Sequence, residues 1–243
     1  MSAEKEPSQM NKDFFNAVKE ARPNFFYAAH HETMAHALEQ AASTPTRLII
    51  EAPPRFSKST FASEIFPAWF MRQYRGKKFW GLYATENLAS NFSRCVKELR
   101  DAPKTAYRAT GFNAKLTGEV FDMIVMDDPM SEHDAQRALK NSAVYEESFE
   151  HYRSYIRTRL RVGGSVVLIV TRQLPNDLAD RLKKDPREEW KVLSFPAIAD
   201  EGTPEERSAW PDFWSLEELQ STRSMLTPAQ WAASYQQQTE VNG

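Results

Sequence analysis

A single cysteine, Cys95, is present among the 243 residues of this chain, so no intramolecular disulfide can form. No group of cysteine and histidine residues has the spacing of a structural zinc site. This composition is typical of a protein kept in a reducing compartment.

An excess of charge of either sign is also missing. The chain has 31 basic and 33 acidic residues and a pI of about 6.3. A domain that binds nucleic acid over a broad surface usually carries a clear basic excess. Any contact with nucleic acid is therefore expected to be local.

Long apolar runs are absent as well. No stretch approaches the roughly 20 residues that cross a bilayer. Residues 1–12 are polar, without the apolar centre of a signal peptide, and we expect them to form a disordered arm. These features predict a soluble, intracellular protein that does not associate with membranes.

The most informative segment is an apolar run that begins at Leu48, breaks at two prolines and leads to Lys58 and Ser59. It resembles the phosphate-binding loop G-x-x-x-x-G-K-[ST], although Ala52 and Ser57 replace the two glycines. In such a loop the lysine reaches the β- and γ-phosphates of ATP and the first hydroxyl binds magnesium. The pattern assigns nucleotide binding to Pro54, Arg55, Phe56, Ser57, Lys58, Ser59 and Thr60. The alternative is an ordinary strand–turn–helix junction with a surface lysine.

A second apolar strand, residues 121–126, ends in the adjacent carboxylates Asp127 and Asp128. It resembles a Walker B strand, in which the first acid holds Mg²⁺ and the second activates the attacking water. Glu132, in the turn that follows, is the alternative activating acid. Aspartates at this position also serve as helix caps or turn residues.

A third strand, residues 166–170, ends in Thr171 and Arg172 and leads through a polar turn into an amphipathic helix. It resembles the coupling motif of the large terminase subunit of tailed bacteriophages. Further matches follow in the family's order from about residue 25 to the last residues: 53–59, 116–118, 157–160, 195–198 and 231–237.

This resemblance implies an α/β P-loop NTPase fold of the ASCE type, with a mostly parallel sheet between helices. The alternation of predicted strands and helices supports the same fold class. We expect the ATPase core at residues 13–200 and a small C-terminal helical subdomain at residues 201–243.

The resemblance also implies a motor that hydrolyses ATP with Mg²⁺ to drive double-stranded DNA through a portal into a procapsid. The implied partners are the portal protein, the small terminase subunit and further copies in a ring, expected to be a pentamer. The implied location is the host cytoplasm. Gly243 lies where the family passes into its nuclease domain, and the acidic cluster of that nuclease is missing, so we expect no DNA cleavage.

Four residues receive roles from the resemblance. Arg55 would contact the γ-phosphate, or else form a salt bridge. Thr171 would sense the γ-phosphate and Arg172 would relay the signal, although a threonine that ends a strand needs no such role. His31 lies where the family contacts the base, and could equally face solvent.

DNA contact has one local candidate. The spacing predicts a helix over residues 142–161, on which Arg153, Arg157 and Arg161 recur every four residues as a basic stripe. Such a stripe suits sequence-independent contact with phosphates, or is simply a solvated face.

Two other functions stay open. One is a helicase-like ATPase, which the Thr171-Arg172 strand end matches poorly. The other is a non-hydrolysing DNA-binding or ring-scaffold subunit whose loop has degenerated through Ser57.

Overall fold

The computed structural model describes residues 13–99 and 106–239 of the chain. The predicted N-terminal arm at residues 1–12 lies outside the described residues, as do residues 100–105 and 240–243. Within the described residues, no helix is both long and apolar enough to cross a membrane.

A six-stranded parallel sheet forms the centre of the fold, in the order β3-β2-β4-β5-β1-β6. The strands are β1 (Arg47–Glu51), β2 (Phe79–Tyr83), β3 (Tyr107–Gly111), β4 (Phe121–Asp127), β5 (Leu160–Val170) and β6 (Lys191–Ser194). The central strands read as almost continuous apolar runs because both of their faces are covered. β5 lies between β1 and β4, so the loop after β1 and the two acids at the carboxyl end of β4, Asp127 and Asp128, flank it.

Helices cover both faces of the sheet. In chain order they are α1 (Phe14–Ala21), α2 (Ala29–Ser43), α3 (Phe66–Gln73), α4 (Glu86–Leu99), α5 (Glu132–Lys140), α6 (Ala143–His151), α7 (Leu178–Lys184), α8 (Leu216–Met225) and α9 (Pro228–Ser234). A π-helical turn, Thr60–Ile65, precedes α3. Side chains of Asp13, Ser131, Asp177, Ser215 and Thr227 cap the amino ends of α1, α5, α7, α8 and α9.

Two hydrophobic clusters lie on opposite faces of the sheet. Leu48 and Ile50 of β1 belong to one cluster and Ile49 to the other, because successive side chains of a strand alternate between faces. The first cluster includes Phe14 and Trp69 from the helices, and the second includes residues of α6 and α7. The predicted α/β fold with a mostly parallel sheet is confirmed.

The helix predicted over residues 142–161 is wrong in its second half. α6 ends at His151, widens into a π-helical turn (Tyr152–Ile156) and tightens into a 3-10 turn (Arg157–Arg159), and Arg161 already belongs to β5. Because the turns change width, a spacing of four residues does not keep the arginines on one helical face.

The C-terminal region contains the short antiparallel ribbon β7 (Ile198–Ala199) and β8 (Arg207–Ser208), together with α8 and α9. The ribbon joins residues on both sides of position 200, where we predicted a domain boundary. Trp214, Leu219 and Trp231 form a hydrophobic cluster that also includes Phe56 of the loop after β1. The C-terminal region is therefore packed directly against this loop.

His30 and His31, in the first turn of α2, lie in an aromatic cluster that connects α2, the loop and the C-terminal region. The His31 ring stacks on Phe61 with centroids 5.2 Å apart and meets Trp210 edge-on at 4.5 Å. The His30 ring lies 5.0 Å from that of Phe56. Both imidazoles are buried.

Burial keeps both histidines neutral. His31 Nδ1 accepts a hydrogen bond from the Ala28 N–H at 3.0 Å, whereas neither ring nitrogen of His30 has a partner within the described residues. Burial lowers the pKa of His30 to about 4. Burial and the neighbouring His30 lower the pKa of His31 to about 3.

We predict that the fold loses stability as pH falls below 6.5. The unfolded chain then protonates His30 and His31, while the folded chain keeps them neutral until their lowered pKa values are reached. Their full contribution is therefore present above pH 6.5 and is lost progressively toward pH 4 to 3. At pH 5 the loss should be about 2 kcal/mol per histidine. Urea unfolding at pH 7 and pH 5 measures it.

His30→Phe keeps an aromatic ring and removes one of the two titrations, so its loss of stability between the two pH values should be smaller by about 2 kcal/mol. His36, exposed on the same helix, provides the control, and His36→Gln should leave the loss unchanged. An equal loss in wild type and His30→Phe would show that the folded chain does not keep His30 neutral.

Candidate active site

The carboxyl ends of β1, β4 and β5 meet at one edge of the sheet. Glu51 pairs with Val170, and Asp127 pairs with Ile169. A cleft of about 690 Å³ opens above these strand ends. Its lining consists of Pro54, Arg55, Phe56, Ser57, Lys58, Ser59, Thr60, Ala84, Thr85, Leu88, Asp128, Met130, Ser131, Thr171 and Gln173. The fold thus brings the predicted loop, an acid after β4 and the end of β5 to one cavity.

The Lys58 side chain is buried and folds back beneath its own loop. Its Nζ donates to the carbonyl oxygens of Ala52 and Pro53 at 2.9 and 2.8 Å and to Thr171 Oγ1 at 2.8 Å. All three acceptors are neutral. Burial lowers the pKa of Lys58, and the charges of Asp128 and Asp127 act in the opposite direction. An anion in the cleft would add the negative charge that this buried ammonium lacks.

Asp127 lies at the end of β4, directly below the first turn that follows the loop. Ser59 Oγ donates to its Oδ1 at 3.0 Å, and Ser63 Oγ donates to its Oδ2 at 2.6 Å. Burial and the neighbouring charge of Asp128 raise the pKa of Asp127 above its ordinary value, and the two serines partly offset this effect.

The hydroxyl of Ser59 and the carboxylate of Asp127 are hard oxygen donors, the type that Mg²⁺ prefers. Among the described residues, no group of three or more His, Cys, Asp or Glu side chains could hold a metal. A magnesium ion here would have to complete its shell with water and phosphate oxygens, as this ion commonly does. The donor set therefore fits Mg²⁺ bound together with a nucleotide.

Thr171 connects the loop to the acidic strand end. Its hydroxyl accepts from Lys58 Nζ, and its backbone N–H donates to Asp128 Oδ1 at 2.7 Å. Asp128 has a φ of 39°, in the left-handed region, and its N–H donates to the carbonyl of Ile169 on β5. Lys58 and Asp128 are thus both hydrogen-bonded to the same residue, Thr171.

Arg172 is buried beside this connection in a group of acidic residues. Its guanidinium contacts Glu51 at the end of β1 at 2.8 Å, Asp177 at 2.8 Å and Asp180 at 2.6 Å. Lys183 also binds Glu51, at 2.8 Å. Burial by itself would lower the pKa of Arg172, but the charges of Asp177, Glu51 and Asp180 together outweigh it and raise the pKa. The charged group ties β1, β5 and α7 together behind the cleft.

The loop itself is strained at two positions. Arg55 has a φ of 64° and Ser57 a φ of 59°, both in the region that favours glycine. The Arg55 guanidinium lies over the rings of Phe213 and Trp214 at 5.2 and 5.3 Å. Phe56 is buried in the C-terminal cluster. The loop is therefore anchored on the C-terminal region by two consecutive side chains.

Several predicted site residues lie elsewhere or in other surroundings. His31 does not line the cleft, because it is buried in the aromatic cluster. Glu132 is the first residue of α5, after the cap Ser131. Its proposed role stays a prediction.

The arginines predicted to contact DNA each lie near a carboxylate. Arg153 is paired with Glu150 at 2.8 Å, Arg157 with Glu188 and Arg161 with Asp122 at 3.7 Å. None of the three lines the cleft. Their contact with DNA stays a prediction.

Sequence reasoning missed Ser63, Glu51 and the acidic start of α7. Ser63 follows Ser59 by four residues, a spacing that could have marked it as a second hydroxyl on the same helical face. Glu51 follows three apolar residues at the end of its strand, and such a buried acid usually has a cationic partner. The identity of that partner depends on the pairing of β1 with β5.

Comparison with protein-family models gave no match, and comparison with curated proteins gave none either. Among solved structures, the fold is similar to that of the large terminase from the thermophilic bacteriophage D6E, determined in complex with ATP-gamma-S. The TM-score is 0.50 and the sequence identity 12%, with 83% of this chain and 50% of the terminase chain covered. This chain thus spans half the length of that protein. At this identity the likeness shows a shared fold.

We predict that Ser57→Gly stabilises the protein by about 0.5 to 1 kcal/mol. Relief of a left-handed non-glycine residue contributes about 1 to 2 kcal/mol, and the greater freedom of glycine in the unfolded chain takes back part of it. The matched control is Ser57→Ala, which keeps the strain and should bring no gain. Denaturant unfolding of the three proteins measures the difference. Equal stability of the glycine and alanine variants would show that this backbone position is not strained.

Proposed function

We propose that this chain is a magnesium-dependent ATPase, and that it acts as the motor of a phage large terminase that moves double-stranded DNA through a portal into a procapsid. One observation carries the ATPase proposal: Lys58 of the loop and Asp128 after β4 both contact Thr171 at the rim of one cleft. The similarity in fold to a terminase determined with ATP-gamma-S supports the choice of nucleotide and of motor.

Lys58 would hold the β- and γ-phosphates in this proposal. To do so, its Nζ has to exchange the carbonyls of Ala52 and Pro53 for phosphate oxygens. The exchange is favourable because a buried cation gains a charged partner in place of neutral ones. Thr171 would lose or keep its hydrogen bond to Lys58 according to whether the γ-phosphate is present. This dependence would make Thr171 the sensor of the γ-phosphate.

Ser59 and Asp127 would hold Mg²⁺, which when bound neutralises charge on the phosphate oxygens. Asp128 lines the cleft and is our choice for the acid that orients or deprotonates the attacking water, with Glu132 as the alternative. The bond from the Thr171 N–H fixes one oxygen of Asp128 and leaves the other free to accept from water.

Arg55 would reach the γ-phosphate only after leaving the rings of Phe213 and Trp214. Its position there links nucleotide contact to the C-terminal region. Arg172 would relay the state of Thr171 through Glu51 and α7.

The cellular role is proposed from the fold and from the motif order. The proposed partners are double-stranded DNA, a portal protein, a small terminase subunit and further copies of the chain in a pentameric ring, in the host cytoplasm. Arg153, Arg157 and Arg161 would contact DNA only by exchanging their carboxylate partners for phosphates.

The strained, glycine-free loop favours one second candidate, a subunit that binds DNA or builds a ring without hydrolysing ATP. Arg55 and Ser57 adopt φ values that usually require glycine. Such a subunit should show no ATP turnover in the wild type.

We predict that Lys58→Met abolishes ATP hydrolysis, with a fall in turnover of about 100-fold or more, because a charge that stabilises the transition state is lost. Methionine keeps most of the side-chain volume, so the fold should persist. Phosphate release measures the turnover. Lys140→Met, an exposed substitution on α5, should have no effect. Equal turnover in wild type and Lys58→Met would remove Lys58 from the site.

We predict different defects for the two acids. Asp127→Asn should weaken Mg²⁺-dependent nucleotide binding, because a carboxylate ligand is lost. Asp128→Asn retains an oxygen for the Thr171 N–H, so it should bind nucleotide normally and slow turnover by about 10² to 10⁴. Titration with a fluorescent ATP analogue and phosphate release separate binding from turnover. Normal turnover in Asp128→Asn combined with its loss in Glu132→Gln would transfer the role to Glu132.

A further inference from the structure

Ser63 lies in the π-helical turn after the loop and is completely buried. Unlike Ser59, it is not among the residues that line the cleft. Its hydroxyl nevertheless makes the shortest hydrogen bond to Asp127, at 2.6 Å to Oδ2. The opposite oxygen, Oδ1, accepts from Ser59 at 3.0 Å.

Two more hydroxyls stand behind Ser63. The Tyr83 hydroxyl lies next to the Ser63 side chain, and the Tyr107 hydroxyl lies 3.0 Å from that of Tyr83. Tyr83 sits directly across from Asp127 in the pairing of β2 with β4. Both tyrosines are buried.

Counting hydrogens gives this chain of hydroxyls a direction. Each hydroxyl has one hydrogen to donate. Ser63 donates its hydrogen to Asp127, so its oxygen can only accept in the contact with Tyr83. The Tyr83 hydroxyl is therefore the donor in that contact.

The backbone leaves room for this arrangement at Gly81. A Cβ atom at this position would lie 2.6 Å from the Tyr83 hydroxyl, well inside contact distance. Any larger residue at position 81 would displace the hydroxyl from the chain that ends at Asp127.

A carboxylate held at one oxygen can rotate about its last torsion angle, because this torsion has a broad and roughly two-fold energy profile. With Ser59 on one oxygen and Ser63 on the other, the plane of the Asp127 carboxylate is fixed. We propose that Ser63, backed by Tyr83 and Tyr107, is the positioning residue that holds Asp127 Oδ1 beside Ser59, where Mg²⁺ would bind. The inference rests on the proposed function, since it assigns Ser63 to the same metal site.

The variants Ser63→Ala and Tyr83→Phe of the full chain test the proposal. The first removes the bond to Asp127, and the second removes the donor to Ser63 while keeping the ring. Ser165→Ala is the matched control, because Ser165 is also a buried serine and does not line the cleft. It lies in the middle of β5, beside the start of β1, where its hydroxyl accepts from the Thr46 N–H and donates to the Thr44 carbonyl. Circular dichroism verifies that each variant is folded.

Binding of a fluorescent ATP analogue is measured in EDTA and over a range of Mg²⁺ concentrations. In EDTA, Ser63→Ala should bind like the wild type. The Mg²⁺ concentration that gives half of the gain in affinity should rise roughly 10-fold, the loss usual for a residue that orients a metal ligand. Tyr83→Phe should show a smaller rise in the same direction, and Ser165→Ala none.

One result would overturn the role of Ser63 and leave the proposed function standing. In that result the wild type gains affinity with Mg²⁺, and the Mg²⁺ concentration at half of this gain is unchanged in Ser63→Ala and Tyr83→Phe. An equal loss of affinity in EDTA and in Mg²⁺ would make Ser63 a structural residue of the loop and would also overturn it. If Ser63→Ala does not fold, the midpoint of Tyr83→Phe decides the question. A wild type that binds no nucleotide would overturn the proposed function together with this inference.

Discussion

The buried guanidinium of Arg172 and the carboxylates around it determine how the ends of three elements are placed. Glu51 ends β1, Arg172 follows β5, and Asp177 and Asp180 begin α7. Removing one partner from such a buried group leaves an uncompensated charge, which costs about 3 to 5 kcal/mol. The loop starts directly after Glu51, and Thr171 directly precedes Arg172. The contact between Lys58 and Thr171 therefore depends on this charged group.

The loop has a second support on the opposite side, in the aromatic residues of the C-terminal region. Phe56 is buried among them, and Arg55 lies over Phe213 and Trp214. These contacts hold Arg55 and Ser57 in backbone conformations that each cost about 1 to 2 kcal/mol for a residue other than glycine. A loop of this sequence can keep its shape because packing on both sides compensates for the strain.

The sequence predicted the parallel sheet and the meeting of Lys58, Ser59 and Asp127, because apolar strands followed by polar residues place those residues at one edge of a parallel sheet. It did not predict the surroundings of His31, since a local pattern does not show which elements pack against a helix. The partner of Arg172 in β1 is 121 residues away, and only the strand order brings it close. The single helix predicted over residues 142–161 was wrong in its second half, because turns of unequal width are not visible in a spacing of four residues.

The π-helical turn Thr60–Ile65 runs directly into α3 and lies between residues that line the cleft and residues that pack in the core. A π-turn holds one residue more than an α-turn, so it shifts the angular phase of everything that follows. Lys58 and Ser59, which precede the turn, line the cleft. Phe66 and Trp69, which follow the turn, pack in the hydrophobic cluster. The extra residue lets both sets of side chains face their proper surroundings. The turn thus sets the rotation about the helix axis between the residues that line the cleft and the residues that pack in the core.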